Sequence, residues 1–315
     1  MAATVFSRVL IVLLLVGLGW LARRAKVVDE AGLGALSRLN IDLAFPALVL
    51  ARLLATVDGP ALQAEWYVPV SALVLLPFGW WLGKRLTGRA TDAFLVGLPN
   101  WIFLPLLIAQ ALFGAAGERT VLLFNAGAQV ALWTVGVATL TGRADPRALL
   151  RNPGLWATAL GIGLALAVPA LGELARHPGR ATGAASGVAI LLEGLDLFGT
   201  MAVPLSLTIT GAQLGGLRVT QALRLDGRLV RVLGLRLLAM PLLAWAAVLG
   251  LEALGMILDP RARLVILFTA GMPVAISGAV HARRFGGEAD LAARAVLWST
   301  ALALATAPAL VAWVH

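Results

Sequence analysis

Asn100 stands between two prolines, Pro99 and Pro105, inside a long apolar run. Proline removes a backbone donor and disturbs the carbonyl one turn back, so a proline pair opens a helix where a side-chain amide can act beside freed backbone groups. Pro273, Ser277 and Gly278 form a second interruption late in the chain. An amide, unpaired backbone dipoles and a helix N-terminus together hold a carboxylate without covalent chemistry. The ordinary alternative is that Asn100 bridges helices, a common use of amides in lipid. Three further residues are candidates for coupling or gating. Asp42 lies one turn before Pro46 in an apolar run, where a carboxylate must be hydrated, paired or protonated. Its nearness to Arg38, one turn back, favours contact with water. Arg236 sits within another apolar run and either draws an anion inward or snorkels to the surface.

Enzyme chemistry has little to work with. The chain has no Cys and only 3 His, without the helical two-His spacing of a metal site. No metal and no cofactor are expected. Covalent and acid–base catalysis would each need a group that is missing from the apolar runs.

The elements that must position these residues are membrane helices. The chain is 60% hydrophobic and 13% charged, with a mean hydropathy of +0.91. Soluble domains carry about 25% charged residues. The apolar runs are continuous rather than alternating, which argues for helices and against a barrel. Ten spans are expected, at 5–22, 36–55, 66–83, 92–113, 120–141, 154–172, 188–214, 230–254, 262–282 and 291–314. The net charge of +9 does not indicate nucleic acid, because the basic residues sit in short loops between apolar runs. The loops after odd-numbered spans hold 17 Lys and Arg (Arg218 among them) and the opposite loops hold 7. That split places the odd loops in the cytoplasm and both termini outside.

The two halves, 1–145 and 146–315, resemble each other. Pro46, Pro77 and Pro99 correspond to Pro204, Pro241 and Pro273, and Phe113-Gly114 corresponds to Phe285-Gly286. Five spans per half would thread the second half upside down, an arrangement typical of transporters, with the ligand held near the midplane by interrupted helices. Spans four and nine are the expected interrupted pair.

At these residues the chain resembles the auxin efflux carrier family of plant carriers and bacterial permeases. The resemblance runs through Leu98-Pro99-Asn100, Gln129 four residues before Trp133, Arg151-Asn152-Pro153, Pro204-Leu205 with Gly211-Ala212-Gln213-Leu214, Arg236 before Pro241, Met272-Pro273, and Arg283-Arg284-Phe285-Gly286-Gly287. It implies an all-α membrane fold like that of sodium/proton antiporters, with spans four and nine crossing as broken helices. It also implies a scaffold of spans one, two, six and seven beside a mobile domain of spans three to five and eight to ten. The implied activity is export or exchange of small organic anions, with Asn100 and Gln129 facing the substrate. A proton or sodium ion is the candidate coupling partner, and a homodimer through the scaffold is the candidate assembly. A cation antiporter on the same fold is the close alternative, and a membrane sensor is a remote one.

Overall fold

The computed structural model describes residues 2–144, 146–216 and 223–314. Arg218 and Asp145, at the expected boundary between the halves, lie outside them.

Helix α1 (Ala2–Arg24) is followed by α2 (Glu30–Leu39), α3 (Phe45–Thr56), α4 (Gly59–Glu65) and α5 (Tyr67–Thr87). Next come α6 (Ala90–Val96), α7 (Phe103–Ala131), α8 (Val137–Thr141), α9 (Pro146–Leu150), α10 (Pro153–Ala167), α11 (Pro169–Arg176), α12 (Ala184–Thr200) and α13 (Ala202–Gly215). The last five are α14 (Gly227–Gly234), α15 (Met240–Ala253), α16 (Pro260–Ala270), α17 (Gly278–Arg284) and α18 (Ala289–Val314). The described residues contain no strand, only one antiparallel bridge between Pro99 and Val274.

Seven helical stretches among the described residues are long and apolar enough to cross a membrane, and the bent pair α10–α11 makes an eighth. Helical segments occupy all ten expected positions, but not all are long enough to pass as spans. Helices α6, α16 and α17 have 7, 11 and 7 residues. At 1.5 Å per residue none of them crosses about 30 Å of hydrocarbon alone. The run from Phe103 to Thr141 is 39 residues long, more than one crossing needs. It is divided at Gly114, whose φ of 61° belongs to the left-handed region that glycine tolerates.

Two π-helical turns have a common cause. Asn40–Ala44 runs into Pro46, and Leu235–Ala239 runs into Pro241. A proline ring collides with the carbonyl four residues before it, and a widened turn relieves that clash. The freed carbonyls are those of Asp42 and Leu237, so each π turn re-aims the side chains beside it.

Helix α1 packs most closely on α13, and α3 on α10, α11 and α12, while α5, α6, α7 and α16 pack together and α18 lies against both α1 and α17. Helices α1 and α13 meet backbone to backbone. A Cβ at Gly19 would lie 1.9 Å from the Thr208 carbonyl oxygen, and one at Gly211 would lie 1.8 Å from that of Val16. In lipid such close approach of small residues replaces the hydrophobic drive that water supplies elsewhere.

Charges gather at the two ends. At the arginine-rich end, Arg228 ties Asp92 of α6 to Glu288, and Arg294 pairs with Asp226 at 2.8 Å. At the other end Glu65, fully buried, holds Arg119 at 2.6 Å and Arg261 at 2.8 Å. Arg52 lies 3.3 Å from Glu118 and 2.8 Å from Asp196. Arg52 thus pairs with acids from two other helices rather than snorkelling outward. Helix α12 begins at Ala184, about three turns before Asp196, which serves as a counter-ion rather than as a dipole partner at a helix start.

Candidate functional site at the crossing of two interrupted helices

Residues 97–102 separate α6 from α7, and residues 271–277 separate α16 from α17. The two extended segments cross antiparallel. Asn100 N donates to the Pro273 carbonyl at 2.7 Å, and Ala275 N donates to the Leu98 carbonyl at 2.9 Å. These bonds flank the Pro99–Val274 pair, where proline's missing donor is not needed. Val274 N finds Ser299 Oγ on α18 at 3.0 Å. Pro99 and Pro273 are buried in the crossing itself. Pro105 is buried in the third position of α7, inside the first turn, where a missing N–H does not break the helix. It therefore lies beyond the break, which ends at Ile102. Gly278 opens α17, and Ser277 precedes it, half-buried, with its carbonyl accepting from His281 N at 2.9 Å.

Asn100 is 3% exposed. Its Oδ1 accepts the backbone N–H of Phe103 at 3.2 Å, so the side chain caps α7. A backbone N–H only donates, which fixes the oxygen end of the amide and leaves Nδ2 with two donors to offer. Gln129 is arranged the same way. Its Oε1 accepts Asn152 Nδ2 at 2.5 Å and the Trp133 indole at 3.3 Å. Asn152 in turn caps α10 through the N–H groups of Gly154 and Leu155. Gln129 Nε2 thus faces the start of α10, where a Cβ on Gly154 would come within 2.8 Å of it. Among the described residues neither amide nitrogen has an acceptor. Trp101, the neighbour of Asn100, donates its indole N–H to Asn125 Oδ1 at 3.0 Å.

Arg236 is at the crossing and 1% exposed, so it does not snorkel, and it forms no ion pair among the described residues. Its guanidinium donates to the Val96 carbonyl at 2.7 Å and to that of Ala270. These are the last residues of α6 and α16, so one side chain caps both broken helices at their C-terminal ends. A helix C-terminus carries roughly half a negative charge, so two of them balance one guanidinium. The π turn at 235–239 aims Arg236 there.

Asp42 is exposed, and among the described residues it forms no ion pair with Arg38. Pro46 is half-buried at the start of α3. Neither touches the crossing through any polar contact. A cavity of about 350 Å³ lies beside the crossing, on the arginine-rich side. Its lining includes Arg23, Ser37, Thr210, Gln213, Ile276 and Arg283. Ile276 follows directly on the crossing segment, while Asn100 and Gln129 do not line the cavity.

Asn125 carries no local signature in the sequence, and Asn152 is legible as part of Arg151-Asn152-Pro153 but not as the partner of Gln129. Trp80 is 1% exposed and donates to the Phe94 carbonyl at 3.1 Å, supporting α6.

Stacked apolar helices, two of them broken and paired at their breaks, define a multi-pass membrane transporter. The family model described as a membrane transport protein matches residues 4–148 and 141–311. The chain belongs to that family, the auxin efflux carrier family whose motifs it resembles. An uncharacterized transporter of Methanothermobacter thermautotrophicus is 26% identical over 313 residues, covering 95% of each chain.

Proposed function

We propose that this protein is a secondary transporter that carries small organic anions, carboxylates above all, across the inner membrane, with export as its working direction. The observation that carries this reading is the polarity of the amides. Asn100 and Gln129 both spend their oxygens on N–H donors, and their nitrogens have no acceptor among the described residues. A site that offers donors without acceptors suits a carboxylate and repels a cation. Arg236 supports the same sign. It offsets the two negative helix ends, so the N-terminal end of α7 is not cancelled by them. An antiporter of cations would need a carboxylate at this place instead.

The ten-span inverted repeat is part of the same reading. Pro99 and Pro273 are 174 residues apart, and so are Asn125 and Ser299, the two side chains that reach the crossing from α7 and α18. Matched supports at matched spacing are what two related halves would leave. Counted that way, α6 with the first part of α7 is one crossing, and α16 with α17 is another. The group containing α1, α3 and α10–α13 is then the scaffold. The other group slides past it, carrying the crossing, in an elevator cycle. The cavity on the arginine-rich side would be the vestibule open to the cytoplasm, with arginines at its rim for an anion to meet.

Counterflow in proteoliposomes, with a panel of carboxylates and an imposed potential, tests the reading. Asn100→Ala should abolish flux while the protein stays folded by thermal unfolding. Full flux in that variant would remove Asn100 from the site.

A further inference from the structure

Asn125 is 1% exposed and lies on α7, one turn before Gln129. Its Oδ1 accepts the indole N–H of Trp101 at 3.0 Å. Indole nitrogen only donates, so this bond fixes the orientation of the amide. Both donors of Nδ2 are then buried, and Nδ2 has no partner among the described residues. A buried donor without an acceptor is destabilising, and such exceptions call for a partner that arrives. Trp101 belongs to the crossing segment and follows Asn100, so the orphaned nitrogen belongs to a side chain bonded to that segment. Asn125, Gln129 and Trp133 recur at four-residue spacing and share one side of α7 and of the π turn 132–136 that continues it. That side reaches Asn152, at the start of α10, through Gln129.

We propose that Asn125 is a substrate-binding residue whose Nδ2 donates to a carboxylate oxygen of the transported anion. The inference rests on the transport reading above and adds a second amide at the crossing. Its chemistry selects an acceptor-only, planar group. An ammonium ion or a primary amide turned donor-first would leave Nδ2 as it is in the empty site. The oxygen of Asn125 already accepts from Trp101, so the end of the residue left for a ligand is a donor.

Thermal stabilisation of the purified full-length protein provides the test. The probes are malate, malonate and indole-3-acetate, each against its neutral amide. In the wild type the carboxylates should raise the melting temperature and the amides should not. Asn125→Ala removes both ends of the contact. Asn125→Asp removes the donors but keeps an oxygen for Trp101, and Asn125→Ser keeps a hydroxyl for Trp101 without adding charge. Ala and Asp should raise the half-saturating carboxylate concentration on the order of tenfold or more, and Ser by less. If Asn125 only holds Trp101 in place, the Asp variant will bind like the wild type while Ala fails, and the proposal is overturned. Unchanged binding in all three variants overturns it as well, with the transport reading intact. Absence of stabilisation by any carboxylate in the wild type would sink both together.

Discussion

Arg236 is a full charge among apolar helices, and its surroundings explain why it can stay there. Burying an unpaired guanidinium costs several kcal/mol, and charged hydrogen bonds to two carbonyls return about 1.5–3 kcal/mol each. Arg236→Met would leave the Val96 and Ala270 carbonyls without a donor. We expect about 3 kcal/mol or more of lost stability and no measurable transport, read by thermal unfolding and counterflow. Arg236→Lys should recover part of the stability, because a single ammonium reaches one carbonyl better than two. Asp42 stands at the other extreme. It is exposed and makes no polar contact with the crossing among the described residues, so Asp42→Asn should leave transport and its pH profile unchanged. A flattened pH profile in that variant would make Asp42 a coupling site after all.

Among the elements, the contact of α1 with α13 leaves the least room for change. Gly211→Val would drive a branched side chain into the Val16 carbonyl. Overpacking of this kind costs about 1–3 kcal/mol, so the variant should melt at lower temperature or separate the two helices. Helix positions were the most legible feature of the sequence, because hydropathy and length suffice to find them. The breaks at Pro99 and Pro273 were legible too, since proline acts locally. Their exact extent was not. Pro105 reads as part of the first break, yet it sits inside the first turn of α7, where a helix has no use for its N–H. Side-chain partners were the least legible. Asn152 meets Gln129 across 23 residues, and Arg52 meets Glu118 across 66. No local pattern records such pairings. Glu118 reads as a loop residue before a helix, and only the packing of α3, α7 and α12 shows it buried beside an arginine.

At the scale of the whole molecule, the sequence's charge asymmetry becomes two belts of ion pairs, one at each end. At the arginine-rich end, the hydrogen bond from Arg294 lowers the Asp226 carboxyl below its ordinary range, and that from Arg228 does the same for Glu288. Folded-state values below the unfolded ones mean that these ties stabilise the protein above about pH 4 and are lost as the pH falls through the lowered values. The melting temperature should therefore be level from neutral pH to about pH 5 and drop below about pH 4, and the double variant Asp226→Asn with Glu288→Gln should flatten that drop. Orientation has its own test, made simple by the lack of native cysteine. A membrane-impermeant maleimide applied to whole cells should label Asp58→Cys and leave Gly88→Cys untouched; the reverse result would invert the assigned threading.

The double cap made by Arg236 also bears on how the chain is made. Its two acceptors lie 140 residues before it and 34 residues after it. During synthesis the arginine enters the bilayer while one of its acceptors has yet to leave the ribosome. Until Ala270 arrives, the nascent protein holds a half-satisfied cation in oil, a state that insertion factors can shelter and that quality-control proteases can recognise. Chains truncated just short of Pro260 should consequently be cleared from cells faster than chains ending after Phe285, although both keep Arg236.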